Sequence, residues 1–250
     1  MTNLLTDRAF WKNYWESKTG IVEQIPDNFT FHHQLKTIIA NRNIKSAIEL
    51  GGFPGYYAVF LKKYFNLDVT LLDYFIHPPV VSALLKENGL NEADVMLIEA
   101  DLFNYQPEKQ YDLVLSCGLI EHFNDTADII NRHSLFLKPG GTLFITLPNF
   151  KSVNGWFQKK FDWENYSKHN ISSMDINLLK DICEKANLKD IKVNYYGRFS
   201  VWIENEQHKL ISVRLFKKIV WLAGKVFTKV IAFDSKALSP YIVLEAKKLQ

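Results

Sequence analysis

Apolar positions follow two rhythms along this chain. Between residues 46 and 148, short aliphatic runs alternate with longer segments of helical spacing. "SAIEL", "DVTLLDY", "DVMLIEAD", "YDLVLSCG" and "GTLFITLP" are short, bounded runs that predict strands. "YYAVFLKKYF", "PVVSALLKENG" and a segment near Asp125 to Leu137 predict helices, the second opening on Pro and stopping at Gly. Strands that alternate with helices imply a parallel, doubly wound α/β sheet, because parallel neighbours need crossover connections.

The flanks read differently. Ahead of residue 45, Phe10, Trp11, Tyr14 and Trp15 are spaced for one helix face, and "FTFHHQLKTIIANRN" supplies a second amphipathic run. After residue 150 comes a loop rich in Trp, Phe, Asn and Lys, then the helix "MDINLLKDICEKAN" and the strand "IKVNYYGRF". An apolar and basic helical stretch from about 208 to 233 precedes a last strand, "SPYIVLEAKK". The expected architecture is seven strands in one domain, 1–250, with a helical cap over 1–44, a core over 45–150 and a helical insertion before the last strand. No repeat or linker divides it.

Composition narrows this picture. With 250 residues, 47% of them hydrophobic, the chain can bury the core of one α/β domain. A net charge of +3 does not point to nucleic acid. Cys117 and Cys183 form no CxxC pair, and no His cluster has metal-ligand spacing, so neither a disulfide framework nor a metal site is expected. The N-terminus lacks the pattern of a signal peptide, and no apolar run reaches the ~20 residues of a membrane-spanning helix. A cytoplasmic protein is the expectation.

The candidate chemistry sits at consecutive strand ends, where open parallel sheets bind ligands. Gly51, Gly52 and Gly55 in "IELGGFPGYYA" permit a tight turn and close approach of backbone N–H groups to a ligand. Asp73, 22 residues after Gly51, closes the second strand, where an acid can accept from both ribose hydroxyls. Asp101 closes the third strand beside Leu102 and Phe103, a carboxylate for an exocyclic amine next to a wall for a purine ring.

These motifs, with "LLDY", "EADLFNY", "YDLVLSCGLIEHFND" and "FLKPGGTLFITLPN", resemble in order and spacing those of class I S-adenosylmethionine-dependent methyltransferases. The group containing ubiquinone/menaquinone-biosynthesis and sugar- or antibiotic-tailoring enzymes is the most similar. The likeness covers about residues 45 to 150 and extends weakly to "KHNISSMDINLLKDICEKANLKD" and "SPYIVLEAKK". It implies a Rossmann-like sheet and S-adenosylmethionine as cofactor. Glu49 and the backbone of Gly51, Gly52 and Gly55 would line its methionine moiety, Asp73 and Tyr74 its ribose side, and Asp101 with Leu102 its adenine. Ser116, Cys117 and Gly118 would form a floor beneath the sulfonium, and Tyr14 with Trp15 would close over it. Phe53 replaces the second glycine of the family's loop. It either crowds the methionine tail or packs away from it.

A nicotinamide-dependent oxidoreductase is the structural competitor, since it uses the same loop and the same ribose acid. "GGFPGY" does not fit Gly-x-Gly-x-x-Gly, and neither "YWESK" nor "YQPEK" is placed as a Tyr-x-x-x-Lys pair for hydride chemistry. A degenerate domain that has lost its ligand is the non-enzyme alternative.

Methyl transfer from a sulfonium is an in-line displacement, and an oxygen acceptor wants a general base. His122, beside Glu121, is the best-placed histidine, and His169 could reach the mouth of the site. His32 and His33 fall on the second N-terminal helix, while His77, His133 and His208 read as surface residues. The aromatic set Trp156, Phe157, Phe161, Trp163 and Tyr166 suits either acceptor recognition or loop packing. Between Gln207 and Phe233 no acidic residue occurs; Arg214, Lys217, Lys218, Lys225 and Lys229 share one face, with Leu215, Ile219, Leu222, Val226 and Val230 on another. Two readings fit: an interfacial helix on an anionic membrane at the inner face, or a two-helix insertion that packs on the sheet or pairs with a second subunit as a homodimer. The expected reaction is methylation of a small molecule at oxygen, the acceptor being sugar, quinone-like or lipid-linked.

Overall fold

The computed structural model describes residues 4–230 and 234–249. Its framework is one seven-stranded sheet: β1 (Ser46–Leu50), β2 (Asp68–Asp73), β3 (Val95–Glu99), β4 (Tyr111–Cys117), β5 (Leu137–Pro148), β6 (Leu188–Tyr196) and β7 (Tyr241–Lys248). The spatial order is β3-β2-β1-β4-β5-β7-β6. β1 to β5 are parallel, and β7 runs antiparallel between β5 and β6. An antiparallel strand at that position departs from the 3-2-1-4-5-6 order of dinucleotide-binding sheets.

Alternate strand residues feed two apolar layers. Ala47, Val69, Leu71, Leu113 and Leu115 face one layer with α2 (His32–Asn41), α3 (Tyr56–Phe65) and α4 (Pro78–Glu87). Ile48, Leu50, Leu72, Val114 and Ile145 face the other with α5 (Thr126–Leu135) and α8 (Ile176–Lys185). Local chemistry sets the helix starts: Asp125 caps α5 through Ala127 and Asp128 N–H, and Asp175 caps α8 through Asn177 and Leu178 N–H. α1 (Arg8–Glu16), capped by Asp7, touches the first layer through Trp15, and its aromatic rings meet mostly edge-on.

Beyond residue 150 the structure is more regular than the sequence pattern suggested. The expected aromatic loop contains α6 (Val153–Phe161) and the short α7 (Trp163–Tyr166). Asn, Gly, Trp and Phe are indifferent helix formers, so α6 rests on tertiary contacts. Phe157 is fully buried, and a Cβ on Gly155 would sit 1.7 Å from the Phe150 carbonyl oxygen, so this turn can approach Phe150 only as glycine. The expected two-helix insertion is a single helix, α9 (Ile211–Val230); the remainder of the predicted stretch, 231–233, lies outside the described residues. Gly224 does not interrupt α9. It gives the Phe199 ring room that a Cβ, 2.0 Å away, would fill.

Candidate active site

The glycine turn after β1 is shaped by three close approaches. Gly51 has φ +63° and donates to the Leu72 carbonyl at 2.7 Å; a Cβ there would meet Leu119 at 2.4 Å. At Gly52 a Cβ would lie 2.2 Å from the Glu49 carboxyl carbon. That space lets Glu49 fold under the turn, where its Oε2 accepts from Ala58 N–H in the first turn of α3 at 2.7 Å. Burial nevertheless raises the Glu49 carboxyl to about 8, opposed by the Ala58 N–H and reinforced by Asp73.

Asp73 is tied to the same turn. Its Oδ2 accepts from Phe53 N–H at 2.9 Å and its Oδ1 from Phe75 N–H at 3.0 Å, while burial raises it to about 6. The Phe53 ring packs edge-on against Trp15 and Phe75, with centroids 5.3 and 5.7 Å away. It thus forms part of the cleft wall while joining the apolar layer behind it. Asp101 is half-buried and caps its own loop, Oδ1 to Phe103 N–H and Oδ2 to the Asn104 amide.

These residues line one cleft at the carboxyl ends of β1 to β4. Glu49, Gly51, Gly52, Cys117 and Gly118 lie along it, with Asp73, Tyr74, Asp101 and Leu102 on the β2–β3 side. The cleft has a volume of about 210 Å³ and opens to solvent at its mouth.

Several expected residues lie outside the cleft lining, His169 among them. Gly55 is buried behind the turn and outside the lining. Ser116 points through the sheet to His133, whose Nε2 accepts its hydroxyl at 2.9 Å while Nδ1–H donates to the Ile129 carbonyl. His133 is therefore a fully buried core residue, lowered by burial to about 4, and not a surface one. Tyr14 faces away beneath Lys18, and Trp11 with Trp15, one helical turn apart, supplies the lid instead. His32 and His33 do not reach the cleft.

At the other end of the cleft, His122 lies edge-on to Trp11 and against His169, with centroids 4.9 and 4.7 Å away. His122 Nδ1–H donates to the Lys168 carbonyl at 3.0 Å, and His169 Nδ1–H to the Asn165 carbonyl at 2.8 Å. Each bond selects the tautomer that leaves a lone pair on Nε2. Burial holds His122 down at about 3 and lowers His169, so both rings are neutral. Glu121 is 1% exposed, its Oε2 has no partner among the described residues, and burial raises its carboxyl to about 8. One ligand atom from each of Glu121, His122 and His169 lies within 4.8 Å of the others. The sequence spacing concealed this grouping, because His169 arrives from a loop 47 residues on. Two imidazoles and a carboxylate form a donor set that suits a transition-metal ion as well as proton transfer.

The N-terminal strap was also missed. Leu4 bridges to Phe123, Leu5 N–H donates to the His122 carbonyl at 2.9 Å, and Thr6 lines the cleft with its buried Oγ1 lacking a partner among the described residues. Trp11 was discoverable from its i, i+4 spacing to Trp15; nothing in the sequence marks Thr6. Burial pushes the Cys117 thiol up, so it lines the cleft as a small neutral side chain.

Residues 26–193 match the family model described as a methyltransferase domain. The chain belongs to this methyltransferase family. Its fold is that of the class I S-adenosylmethionine-dependent enzymes, and the nicotinamide alternative is set aside by the same match. Among curated relatives, it is 27% identical over 165 residues to a malonyl-[acyl-carrier protein] O-methyltransferase of Priestia megaterium, covering 62% of this chain and 57% of that one. It is 31% identical over 118 residues to a probable (S)-tetrahydroprotoberberine N-methyltransferase 2 of Papaver bracteatum, covering 45% and 31%. The matches thus span 57% and 31% of those relatives' lengths. Two solved structures share the methyltransferase fold. The Haemonchus contortus phosphoethanolamine N-methyltransferase 2 with S-adenosylhomocysteine has TM-score 0.56 and 20% identity, over 87% of this chain and 53% of that one. The Bradyrhizobium japonicum N-methyltransferase NodS with S-adenosylhomocysteine has TM-score 0.54 and 11% identity, over 98% and 100%.

Proposed function

We propose that the methyltransferase cleft carries methyl transfer from S-adenosylmethionine to an oxygen of a small acceptor, in a chain that acts as one domain over 1–250. The acceptor class is sugar, quinone-like or lipid-linked. The observation that carries this reading is the convergence on one cleft of two strand-end carboxylates and the neutral His122, whose ring is backed by His169 from outside the lining.

The residues present fit the cofactor. Each Asp73 oxygen accepts one backbone N–H and keeps a lone pair for a ribose hydroxyl. Asp101 beside Leu102 offers an acceptor and an apolar wall to adenine. Glu49 stands at the methionine end, where an ammonium would favour its ionised form. Thr6 Oγ1 is a buried polar atom with no partner among the described residues.

When bound, S-adenosylmethionine supplies an electrophilic sulfonium methyl group. The protein's residues align the acceptor, exclude water and move one proton. Trp11, Trp15 and the Leu4–Thr6 strap cover the cleft. The Nε2 lone pair of His122 takes the hydroxyl proton as the methyl transfers. A hydroxyl of high pKa must give up its proton as it attacks, and the Nε2 lone pair of His122 is an acceptor for it, which supports oxygen. The O-methyltransferase relative is consistent with it. Peripheral contact with a membrane at its cytoplasmic face, through 208–233, belongs to the same reading.

Calorimetric titration with S-adenosylmethionine and S-adenosylhomocysteine, with NADH as control, tests the cofactor. Both sulfur compounds should bind, and Asp73→Ala should weaken them about 100-fold, the size of two lost charge-assisted hydrogen bonds. Binding of NADH alone, or equal binding by Asp73→Ala, would defeat the reading.

A further inference from the structure

Helix α9 is attached to the protein by a narrow stripe. Val213 and Val220 pack on the small core of Phe157, Phe199, Val201 and Ile203, and Gly224 rests on Phe199. Lys217, on the same side, pairs with Glu206. Most of the remaining circumference faces outward. At about 100° per residue, Leu222, Leu215, Val226, Ile219, Phe216 and Phe227 fall in one arc about 140° wide. All six are 40–65% exposed. Arg214, Lys225, Lys218 and Lys229 fill the arc beside it, and none of the four has a carboxylate partner among the described residues. The apolar face continues onto α6: Phe216 packs on Phe157 and Phe161, whose rings also contact the 54%-exposed Trp156.

Six large apolar side chains exposed on one arc, beside a row of cations, are the pattern of an interaction surface rather than of singly scattered residues. α9 has the length to cross a bilayer, yet no helix among the described residues is apolar enough to do so. An apolar arc flanked by cations suits a helix lying in the headgroup region, side chains dipping into the acyl boundary and cations reaching lipid phosphates. Charge decides between occupants. A second copy of this chain would bring a like-charged arc against the first, whereas an anionic bilayer complements it.

We propose that α9, with Trp156 at its edge, docks the protein on the surface of an anionic membrane. Docking rests on the helix alone. It deepens the proposed lipid-linked or quinone-like acceptor, and rests on that reading only for what the membrane would deliver.

The test is flotation of the full chain with vesicles of phosphatidylcholine alone or with about one-third phosphatidylglycerol. The bound fraction should be roughly tenfold higher on the anionic vesicles and fall in high salt. Ile219→Asp/Leu222→Asp should abolish binding, and Arg214→Glu/Lys218→Glu should erase the preference for anionic lipid. Both variants should bind S-adenosylhomocysteine as the wild type does, which establishes that they are folded. No binding, or equal binding to both vesicles, would overturn the proposal. So would a dimer in sedimentation velocity that Ile219→Asp/Leu222→Asp splits while vesicle binding is absent. S-adenosylhomocysteine calorimetry on the wild type is a separate readout: its failure would count against the cofactor reading and leave docking standing.

Discussion

The glycine-turn region and the aromatic region beyond residue 150 of this methyltransferase are built by different physical means. Around Asp73 and Glu49, backbone N–H groups hold carboxylates and glycines make room for them, so each part follows from neighbours in β1, β2 and the turn between. From α6 to α9, aromatic rings hold one another across long sequence separations: Phe157 on Phe216, Phe150 on His169, Trp202 on Tyr241. The first kind of construction depends on close backbone approach, where one added methyl collides. The second depends on filled volume, where aromatic residues can exchange if the space is kept.

The largest test of this contrast is Phe157→Ala. Removing a fully buried ring beneath α9 should cost about 3–5 kcal/mol in chemical denaturation. S-adenosylhomocysteine affinity at the remote cofactor side should change less than about threefold if the two regions are energetically separate. A parallel loss of affinity would show that they are not.

Next in size, His122→Ala should lower kcat about 100-fold with cofactor affinity retained, the signature of a lost proton acceptor. Restoration of the rate by added imidazole would strengthen the assignment, and an unchanged kcat would remove His122 from it.

The smallest effect isolates one carboxyl. Glu49 is raised to about 8 in the fold against 4.5 unfolded. Its contribution to stability is therefore whole below about pH 4.5 and is lost as pH rises through about 8. Between pH 6.5 and 8 the unliganded protein should lose stability to this group with a slope of at most about 1.4 kcal/mol per pH unit. Glu121, raised to about 8 as well, adds a slope of the same sign, so Glu49→Gln should roughly halve the slope of that part of the curve. His133 and His122, lowered by burial, act in the opposite sense only below about 6.5. Identical curves for wild type and Glu49→Gln would show that burial does not hold the proton there.

Legibility followed the same division. The five parallel strands, the glycine turn and the acids at the ends of β2 and β3 were readable because period and spacing are local properties. Phe53 left two options open in the sequence, and its ring is found against Trp15 and Phe75 as part of the cleft wall. Ser116 and His133 could not be paired from sequence, since one turns through the sheet to meet the other. α6 was hidden because its helix propensity is weak and its partners lie on α9.

By itself, the order of residues determined a doubly wound sheet, its turn, its strand-end acids and a helix with separate apolar and basic faces. Tertiary structure alone decided that His169 meets Glu121 and His122, that Trp11 and Thr6 line the cleft, and that the broad apolar face of α9 points outward. Periodicity fixes which side chains share a face, but which face is buried depends on the distant surface available to cover it.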